Sequence, residues 1–337
     1  MKNRKWLKIL LYVLPIPVLI ISLFAGPSET ASVNRIFQYF LGLLSFHSDG
    51  YVTDFQTIHT ILFEVRLPRI ILAFLVGGAL SVSGSSLQAI FRNPLVSPYI
   101  LGLSSGAAFG AALALAFSFL SVQLSAFVFG FLAVGLSYVA ALKHKNLSIV
   151  SLILSGVIVT GIFTALLTIV QFLSDPFKLQ SIIHWTMGNL HNSSWQSVSS
   201  SYIPIMAGVI VLFFMRWKLN ILALGDDEAR TSGINPALQK LIVLIAATLA
   251  SSAAVSVAGI IGLYGLIVPH MVRMIIGPDN KQAILMNFIF GGTFLLIIDD
   301  FSRTMAGFEI PVGVFTMLIG APFFLYLMKK TNVGWEN

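Results

Sequence analysis

Long apolar segments alternate with short polar connections along most of the chain. The most informative segment begins at two arginines, Arg66 and Arg69, and continues through apolar, glycine-rich sequence to about residue 90. A helix needs about 20 residues of this kind to cross a bilayer. Frequent glycine and serine residues are typical of membrane helices that pack closely. The pattern therefore predicts an all-α, polytopic membrane protein.

Ten such segments can be delimited from the hydropathy pattern. They span residues 8–25, 66–90, 97–119, 122–142, 147–172, 202–217, 237–257, 260–277, 283–299 and 311–328. The first could also be a cleaved signal peptide, but the lack of a convincing small-x-small site favours a retained span. The region between the first two spans is expected to be an external loop of mixed polarity. No connection is polar or long enough for a soluble domain, so residues 1–337 are expected to form a single transmembrane domain.

Basic residues are distributed unevenly between the two sides. With a cytoplasmic N-terminus, 15 of the 20 lysines and arginines lie inside and 5 outside. The outer five are Arg35, Arg66, Arg69, Lys178 and Arg303. Because cytoplasmic loops carry the excess of basic residues, this predicts that both termini are cytoplasmic.

Composition supports the same class. The chain is 57% hydrophobic and 10% charged, with a mean hydropathy of +0.90, which leaves too little charge for the surface of a soluble domain. The net charge of +7 does not indicate nucleic-acid binding, because the basic residues flank apolar segments rather than forming one patch. The absence of cysteine excludes disulfides, zinc-thiolate sites and thiol chemistry.

The longest inner connection, residues 219–240, carries the acidic run Asp226, Asp227 and Glu228. The break at Ser232-Gly233 predicts two short helices, with Pro236 early in the second element. Acidic residues suit the positive end of a short helix. The connection is either a solvated linker or a docking element for a cytoplasmic partner.

An ionisable cluster ends the ninth segment at Asp299, Asp300 and Arg303. Since acid and base lie three or four residues apart, a local ion pair could satisfy them. Alternatively, Arg303 could join Arg66 and Arg69 in receiving carboxylates from a second protein, because the guanidinium group binds carboxylates in bidentate fashion.

The segment 259–279 is interrupted by Gly262, Gly265 and Pro269, which predict breaks in its helix. His270 and Arg273 follow on one face, and a hydrogen bond between helices is favoured for His270 over a proton-carrying role. The histidines lack metal-ligand spacing, no phosphate-binding loop of the GxxxxGK[ST] type occurs, and no catalytic constellation stands out. The sequence therefore predicts neither an enzyme nor a cofactor.

Together these residues resemble the iron-siderophore and cobalamin importer permeases, the transmembrane subunits of type II ABC importers. The likeness covers nearly the whole chain from Arg66 onward. It is carried by RLPR at 66–69, VGGALSVSG at 76–84, Gln88, NPL at 93–95, LGLSSGAAFG at 101–110, WTMG at 185–188, LALGDDEARTSGI at 222–234, GLIVPHMVR at 265–273, Asp299 with Arg303, and EIPVGVFTMLIGAPFFLYL at 309–327.

The resemblance implies ten transmembrane helices per subunit in a bacterial or archaeal plasma membrane. It also implies a homodimer, two cytoplasmic ATPase subunits that hydrolyse ATP, and an external, periplasmic or lipid-anchored, substrate-binding protein. Arg66, Arg69 and Arg303 would dock the binding protein, and residues 219–240 would couple to the ATPase. The coupling residues are Leu222, Gly225, Asp226, Asp227, Glu228, Ala229, Arg230 and Gly233, and the cytoplasmic gate comprises Asn146, Leu147 and Ser148.

The cargo is the least determined part of this interpretation. An iron complex of the siderophore type is expected, and haem, cobalamin, molybdate or tungstate are alternatives within the family. NPLVSP at 93–98 and the stretch WTMGNLHNSSW at 185–195 depart from the usual family sequence. The latter places Asn189, His191 and Asn192 near the outer mouth, where they could contact a metal chelate or oxyanion or simply be solvated. An ion-coupled secondary carrier would instead need carboxylates buried in mid-span.

Overall fold

The structure is a computed structural model that describes residues 2–26, 28, 30–44, 52–118, 120–143, 146–147 and 149–330. Within these ranges the chain is almost entirely helical. A π-helical turn, Ile61–Arg66, joins α4 to α5, and a short 3-10 turn, Pro98–Leu101, precedes α6. The helices are α1 (Lys2–Val13), α2 (Pro15–Phe24), α3 (Val33–Leu44), α4 (Val52–Thr60), α5 (Leu67–Phe91), α6 (Leu103–Phe117), α7 (Val122–Ala141), α8 (Ile149–Leu173), α9 (Pro176–Thr186), α10 (Trp195–Leu224), α11 (Asp226–Thr231), α12 (Pro236–Ala258), α13 (Tyr264–Ile276), α14 (Asn280–Thr304) and α15 (Val312–Lys330).

Each of the ten predicted apolar segments coincides with helix in the structure. Among the described residues, six helices are long and apolar enough to cross a membrane, and four shorter apolar stretches are present: Lys8–Phe24, Leu103–Phe117, Tyr264–Ile276 and Val312–Tyr326. The first stretch comprises the second half of α1 and all of α2, and the two helices meet at Leu14 immediately before Pro15. The prediction of an all-α, polytopic membrane protein is confirmed.

Helix α5 lies at the centre of the bundle and is buried along almost its whole length. It packs against α10, α12, α13 and α14. Glycine makes these contacts possible: a Cβ at Gly77 would lie 2.4 Å from the Gly291 carbonyl oxygen of α14, and one at Gly84 would lie 1.8 Å from that of Gly265 in α13. Small residues therefore let the backbones approach closely, as the sequence predicts.

Three local predictions need correction. The external connection after the first span contains two helices, α3 and α4, and its last turns continue into α5. The outer helix α9 was not predicted. The helix α13 runs through Gly265 and Pro269 without ending, and only Gly262 lies in the break between α12 and α13. Packing against α5 compensates for the weak local helix propensity at these positions.

Candidate functional site

The inner connection between α10 and α12 folds as a short helix with defined ends. Helix α11 ends at Thr231 and is terminated by Gly233, whose φ of +75° is a left-handed conformation that suits glycine. The Gly233 N–H donates to the Arg230 carbonyl and the Ile234 N–H to the Ala229 carbonyl, which is the Schellman pattern. Asn235 then caps α12 by accepting a hydrogen bond from the Leu238 N–H. The predicted break at Ser232-Gly233 is present, but only the helix before it is short: the element after it is the 23-residue helix α12 rather than a second short helix.

One face of this loop is held by the bundle and the other is exposed. Leu222, Gly225 and Ala229 are buried, and Lys240 Nζ binds the Asp226 carboxylate at 2.6 Å, which ties α11 to α12. The exposed charged side chains of α11 are Asp227, Glu228 and Arg230, with Asp227 and Arg230 3.7 Å apart. The loop therefore presents a charged surface and is connected to α12 by the Asp226–Lys240 ion pair.

A buried ionic cluster lies at the opposite end of the molecule. The Arg69 guanidinium contacts both Asp299 carboxylate oxygens at 2.9 Å, through Nε and Nη2. Its Nη1 donates to Glu309 at 3.0 Å, and His191 Nδ1 lies 3.2 Å from the other Glu309 oxygen. Arg69 thus joins α5 to α14 and to the connection between α14 and α15.

Two other arginines are equally enclosed. Arg303 pairs with Asp300, one turn away, and donates to the Ser22 carbonyl of α2 at 2.8 Å. Arg66 donates to the carbonyls of Leu23 and Phe24, at 2.8 and 3.2 Å, where α2 ends. Cations near a helix C-terminus are favourable, so Arg66 acts as a cap.

This geometry corrects the expectation that these three arginines present free guanidinium groups outside. Arg66, Arg69 and Arg303 are only 3%, 6% and 3% exposed, and all three are engaged by acceptors of this chain. Their docking of a binding protein stays a prediction, and it would require them to release these partners. The alternative of a local ion pair holds for Asp300 with Arg303, whereas Asp299 binds Arg69 across the bundle.

Glu309 is the more exposed of the two carboxylates that bind Arg69, with about a third of its side chain exposed. Burial acts to raise its pKa, but the hydrogen bonds and charge of Arg69, followed by those of His191, outweigh burial and leave the pKa below its ordinary value. Glu309 is therefore held as a carboxylate, and it links the α9–α10 connection to the start of α15.

An outer cavity of about 550 Å³ opens beside this cluster. Helix α9, the α9–α10 connection and the outer ends of α6, α7, α10 and α12 line it. Its polar lining contains no lysine, arginine, aspartate or glutamate, and histidines are its only ionisable side chains. The polar lining residues are Gln123, Gln180, Ser181, His184, Asn189, His191, Asn192, Ser197 and Ser256. A smaller cavity of about 200 Å³ shares His184, Asn189 and His191 and reaches Arg69 and Glu309. The expectation that Asn189, His191 and Asn192 lie near an outer mouth agrees with this lining.

Three glycines meet where α9, α12 and α15 converge beside the cavity. A Cβ at Gly188 would lie 2.2 Å from the Ile260 carbonyl oxygen, and one at Gly313 would lie 2.3 Å from it. A Cβ at Gly259 would lie 2.3 Å from the Trp185 oxygen. The Gly313 N–H donates to the Gly188 carbonyl and the Asn189 N–H to that of Ala258. We call Gly188, Gly259 and Gly313 the glycine junction.

The predicted gate lies at a two-residue antiparallel pair, β1 (Leu142–Lys143) and β2 (Asn146–Leu147). Ser148 and the side chains of Asn146 and Leu147 lie outside the described residues, and the gate stays a prediction. Among the side chains that the structure describes, no group of three or more His, Asp or Glu residues could hold a metal ion.

Sequence reasoning missed Glu309 as the partner of Arg69, and it missed Gln180 and His184 in the cavity lining. The local signal for Glu309 was its place two residues before Pro311, at the start of a span. For Gln180 and His184, the four-residue spacing could have indicated one helix face, had α9 been recognised.

The bundle of membrane-spanning helices, with a structured inner loop and an outer polar cavity, defines a multi-pass membrane transport subunit. Residues 12–330 match the FecCD transport family, and the chain belongs to this family. It is 40% identical over 279 residues to an iron chelatin transport system permease protein of Helicobacter pylori, covering 83% of this chain and 85% of that one. It is 38% identical over 281 residues to the molybdate import permease MolB of Haemophilus influenzae, covering 82% and 83%. A solved metal-chelate type ABC transporter in an inward-facing conformation superimposes with a TM-score of 0.83 at 34% identity, covering 96% and 99%.

Proposed function

We propose that this chain is the translocation subunit of an ATP-driven importer that takes up an iron chelate. It acts as a single transmembrane domain paired with a second copy of itself, with both termini in the cytoplasm of a bacterial or archaeal cell. Two cytoplasmic ATPase subunits supply the energy and an external binding protein delivers the cargo. The chain itself performs no covalent chemistry.

The structure of the inner loop supports a role in coupling to the ATPase. Its charged residues Asp227, Glu228 and Arg230 are exposed, while the Asp226–Lys240 pair fixes the loop to α12. Helix α12 has 23 residues and is thus roughly 34 Å long. It ends at Ala258, which accepts the hydrogen bond from Asn189 beside the glycine junction. A displacement of the loop would therefore be transmitted along the packed helix α12 to the outer ends of α9 and α15.

Helix α8 offers a surface suited to a translocation path. Gly161, Thr164 and Thr168 lie on one face of this helix and are exposed, whereas most other exposed residues of α8 are large and apolar. A small, weakly polar stripe on a membrane helix is expected to face water or another helix rather than lipid tails. We infer that this stripe lines a path between the two copies.

The outer cavity favours a chelate over a small oxyanion. Its volume of about 550 Å³ is in the range of sites for drug-sized molecules. A molybdate-like dianion is expected to need cationic or clustered N–H donors. The larger cavity is lined by amides, hydroxyls and imidazoles, and the Arg69 that borders the smaller one is already paired with two carboxylates.

Uptake by the complete importer in proteoliposomes tests this proposal. We expect ATP-dependent accumulation of a ferric siderophore when the ATPase and binding protein are present, and none with an ion gradient alone. Accumulation by the purified chain on an ion gradient would refute the importer assignment. Uptake of molybdate, haem or cobalamin in place of the ferric chelate would keep the machinery and reject the cargo.

A further inference from the structure

Helices α5 and α13 pack against each other, and their backbones come into close contact at one glycine pair. The contact is Gly84 against Gly265, where a Cβ on Gly84 would lie 1.8 Å from the Gly265 carbonyl oxygen. Pro269 has no N–H, so this carbonyl lacks the partner that residue i+4 normally supplies. The carbonyl is therefore free to lie against the Cα–H of Gly84, a weak but recurrent helix–helix contact.

Three buried polar atoms follow on the inner side of this contact. Ser85 Oγ, Gln88 Oε1 and His270 Nε2 have no hydrogen-bond partner among the described residues. The Ser85 and Gln88 side chains are completely or almost completely buried, with residue exposures of 0% and 2%. Unpaired buried polar atoms are rare in proteins, and each one calls for a physical explanation.

Two hydrogen bonds place the residues that carry these atoms at the interface between α5 and α13, which we call the α5–α13 seam. Gln88 Nε2 donates to the Leu266 carbonyl at 3.5 Å, and Arg273 Nη2 donates to the Ser85 carbonyl at 3.2 Å. Ser85 and Gln88 are three apart on α5, and Leu266, His270 and Arg273 follow at i, i+4 and i+7 on α13, so each set shares a face. His270 is placed between the two residues of α13 that reach α5.

The chemistry of the seam selects its occupant. The Leu266 carbonyl fixes the donor end of the Gln88 amide, so Oε1 is the end left without a partner. An acceptor oxygen needs a donor, which disfavours an anion. The Arg273 guanidinium beside Ser85 disfavours a cation. Water both donates and accepts, and buried waters commonly make about three hydrogen bonds to such groups.

We propose that the α5–α13 seam is a binding site for buried water bridging Ser85 Oγ, Gln88 Oε1 and His270 Nε2. Water then adds to the two direct hydrogen bonds, Gln88–Leu266 and Arg273–Ser85, that join the helices inward of Gly84. Helices α5 and α13 are then held together by direct backbone contact at Gly84 and Gly265, and by exchangeable hydrogen bonds on the inner side of this contact. This inference does not depend on the identity of the cargo.

The direction in which one substitution shifts the melting midpoint distinguishes a hydrated seam from a dry one. In a dry seam, Ser85→Ala removes an unsatisfied hydroxyl that makes no hydrogen bond to the described residues, and the melting midpoint of the purified protein should rise. In a hydrated seam the same change removes a partner of bound water, and the midpoint should fall. We expect a fall, and an unchanged or raised midpoint would overturn the proposal. Ser86→Ala is the matched control, because the buried Ser86 hydroxyl bonds the Val82 carbonyl of its own helix.

A density map of the complete importer gives an independent readout that does not require a variant. At a resolution that reveals ordered water elsewhere in the bundle, we expect a peak within hydrogen-bond distance of Gln88 Oε1 and of at least one of the other two atoms. A map that shows other buried waters but none in this seam would refute the site.

Discussion

Arg69 and Asp299 are 230 residues apart in sequence, yet their side chains form a bidentate, fully enclosed ion pair. Asp299 is completely buried, and Arg69 is the only cation whose distances to both of its oxygens are of hydrogen-bond length among the described residues. The pair joins the central helix α5 to α14 at the outer end of the bundle. The ion pair therefore holds α5 and α14 together in this conformation.

Removing Arg69 should therefore strongly destabilise the protein. Arg69→Ala leaves the Asp299 carboxylate buried without its partner, and breaking such a pair typically costs about 3–5 kcal/mol. We expect a large drop in the melting midpoint of the purified protein. Arg230→Ala is the control: Arg230 is well exposed and 3.7 Å from Asp227, and such surface pairs contribute about 1 kcal/mol or less.

The double variant Arg69→Ala with Asp299→Ala sharpens this prediction. If the cost arises from an unpaired buried charge, removing both charges should recover part of the lost stability. A double variant that is less stable than Arg69→Ala alone would contradict the interpretation that the unpaired Asp299 charge causes the loss of stability.

Glu309 should make the outer cluster sensitive to acid. Its pKa lies below the ordinary value of 4.5, because the hydrogen bonds and charge of Arg69 and His191 outweigh the effect of burial. A carboxylate with a lowered folded-state pKa stabilises the protein at pH values above its unfolded-state pKa. This contribution is lost as the pH falls through the folded-state pKa. The wild type should exceed Glu309→Gln in melting midpoint at neutral pH, and the difference should shrink below about pH 4.5.

The comparison with Glu309→Gln cancels the other acid-sensitive groups. Because Glu309 is partly exposed, the effect should be modest, about 1 kcal/mol or less. A difference that stays constant from neutral to acidic pH would show that the Glu309 charge contributes no stability.

The spans could be predicted from sequence because their signal is local. Twenty apolar residues identify a membrane helix wherever they occur, and the Ser232-Gly233 break identified the end of α11. The pairing of Arg69 with Asp299 could not be read in this way, since it depends on how α5 and α14 pack. For the same reason the arginines were expected at the surface: their position next to apolar segments marks an end of a span but not its environment.

Short helices were missed where the apolar signal is weak. Helix α9 has 11 residues, and its one fully buried side chain, Ile182, gives no periodic pattern. The Asp175 side chain and Pro176 supply the correct start signal. Helix α13 shows the opposite error, since Pro269 was weighted as a break although packing against α5 overrides it.

The glycine junction should not tolerate a single added carbon. In Gly313→Ala the new Cβ would lie 2.3 Å from the carbonyl oxygens of both Ile260 and Met187. These are backbone atoms that cannot rotate away, so α15 must shift, at a cost typical of overpacking, about 1–3 kcal/mol. We expect a lower melting midpoint and impaired uptake. In Gly307→Ala the added carbon has nothing within 4 Å, and wild-type behaviour is expected. Equal behaviour of the two variants would rule out a role for this close contact.

Gly233 offers a test of coupling that leaves the loop surface chemically intact. Its φ of +75° is strained for other residues, although a Cβ there would meet nothing within 4 Å. Gly233→Val therefore costs conformational energy, about 1–3 kcal/mol, without a clash, and should distort the end of α11. Since we propose that this loop receives motion from the ATPase, uptake should fall several-fold while ATP hydrolysis continues. The measurement is the ratio of cargo uptake to ATP hydrolysed by the complete importer.

Gly233→Asn is the matched control, because asparagine adopts the left-handed conformation far more readily than valine. If backbone geometry is what matters, the asparagine variant should keep a nearly normal ratio while the valine variant does not. Loss of coupling in both variants would instead indicate that any side chain at this position obstructs the contact with the ATPase. Normal coupling in Gly233→Val would mean that the loop is only a connector. Helix α12 would then receive no motion from the ATPase to transmit to the glycine junction.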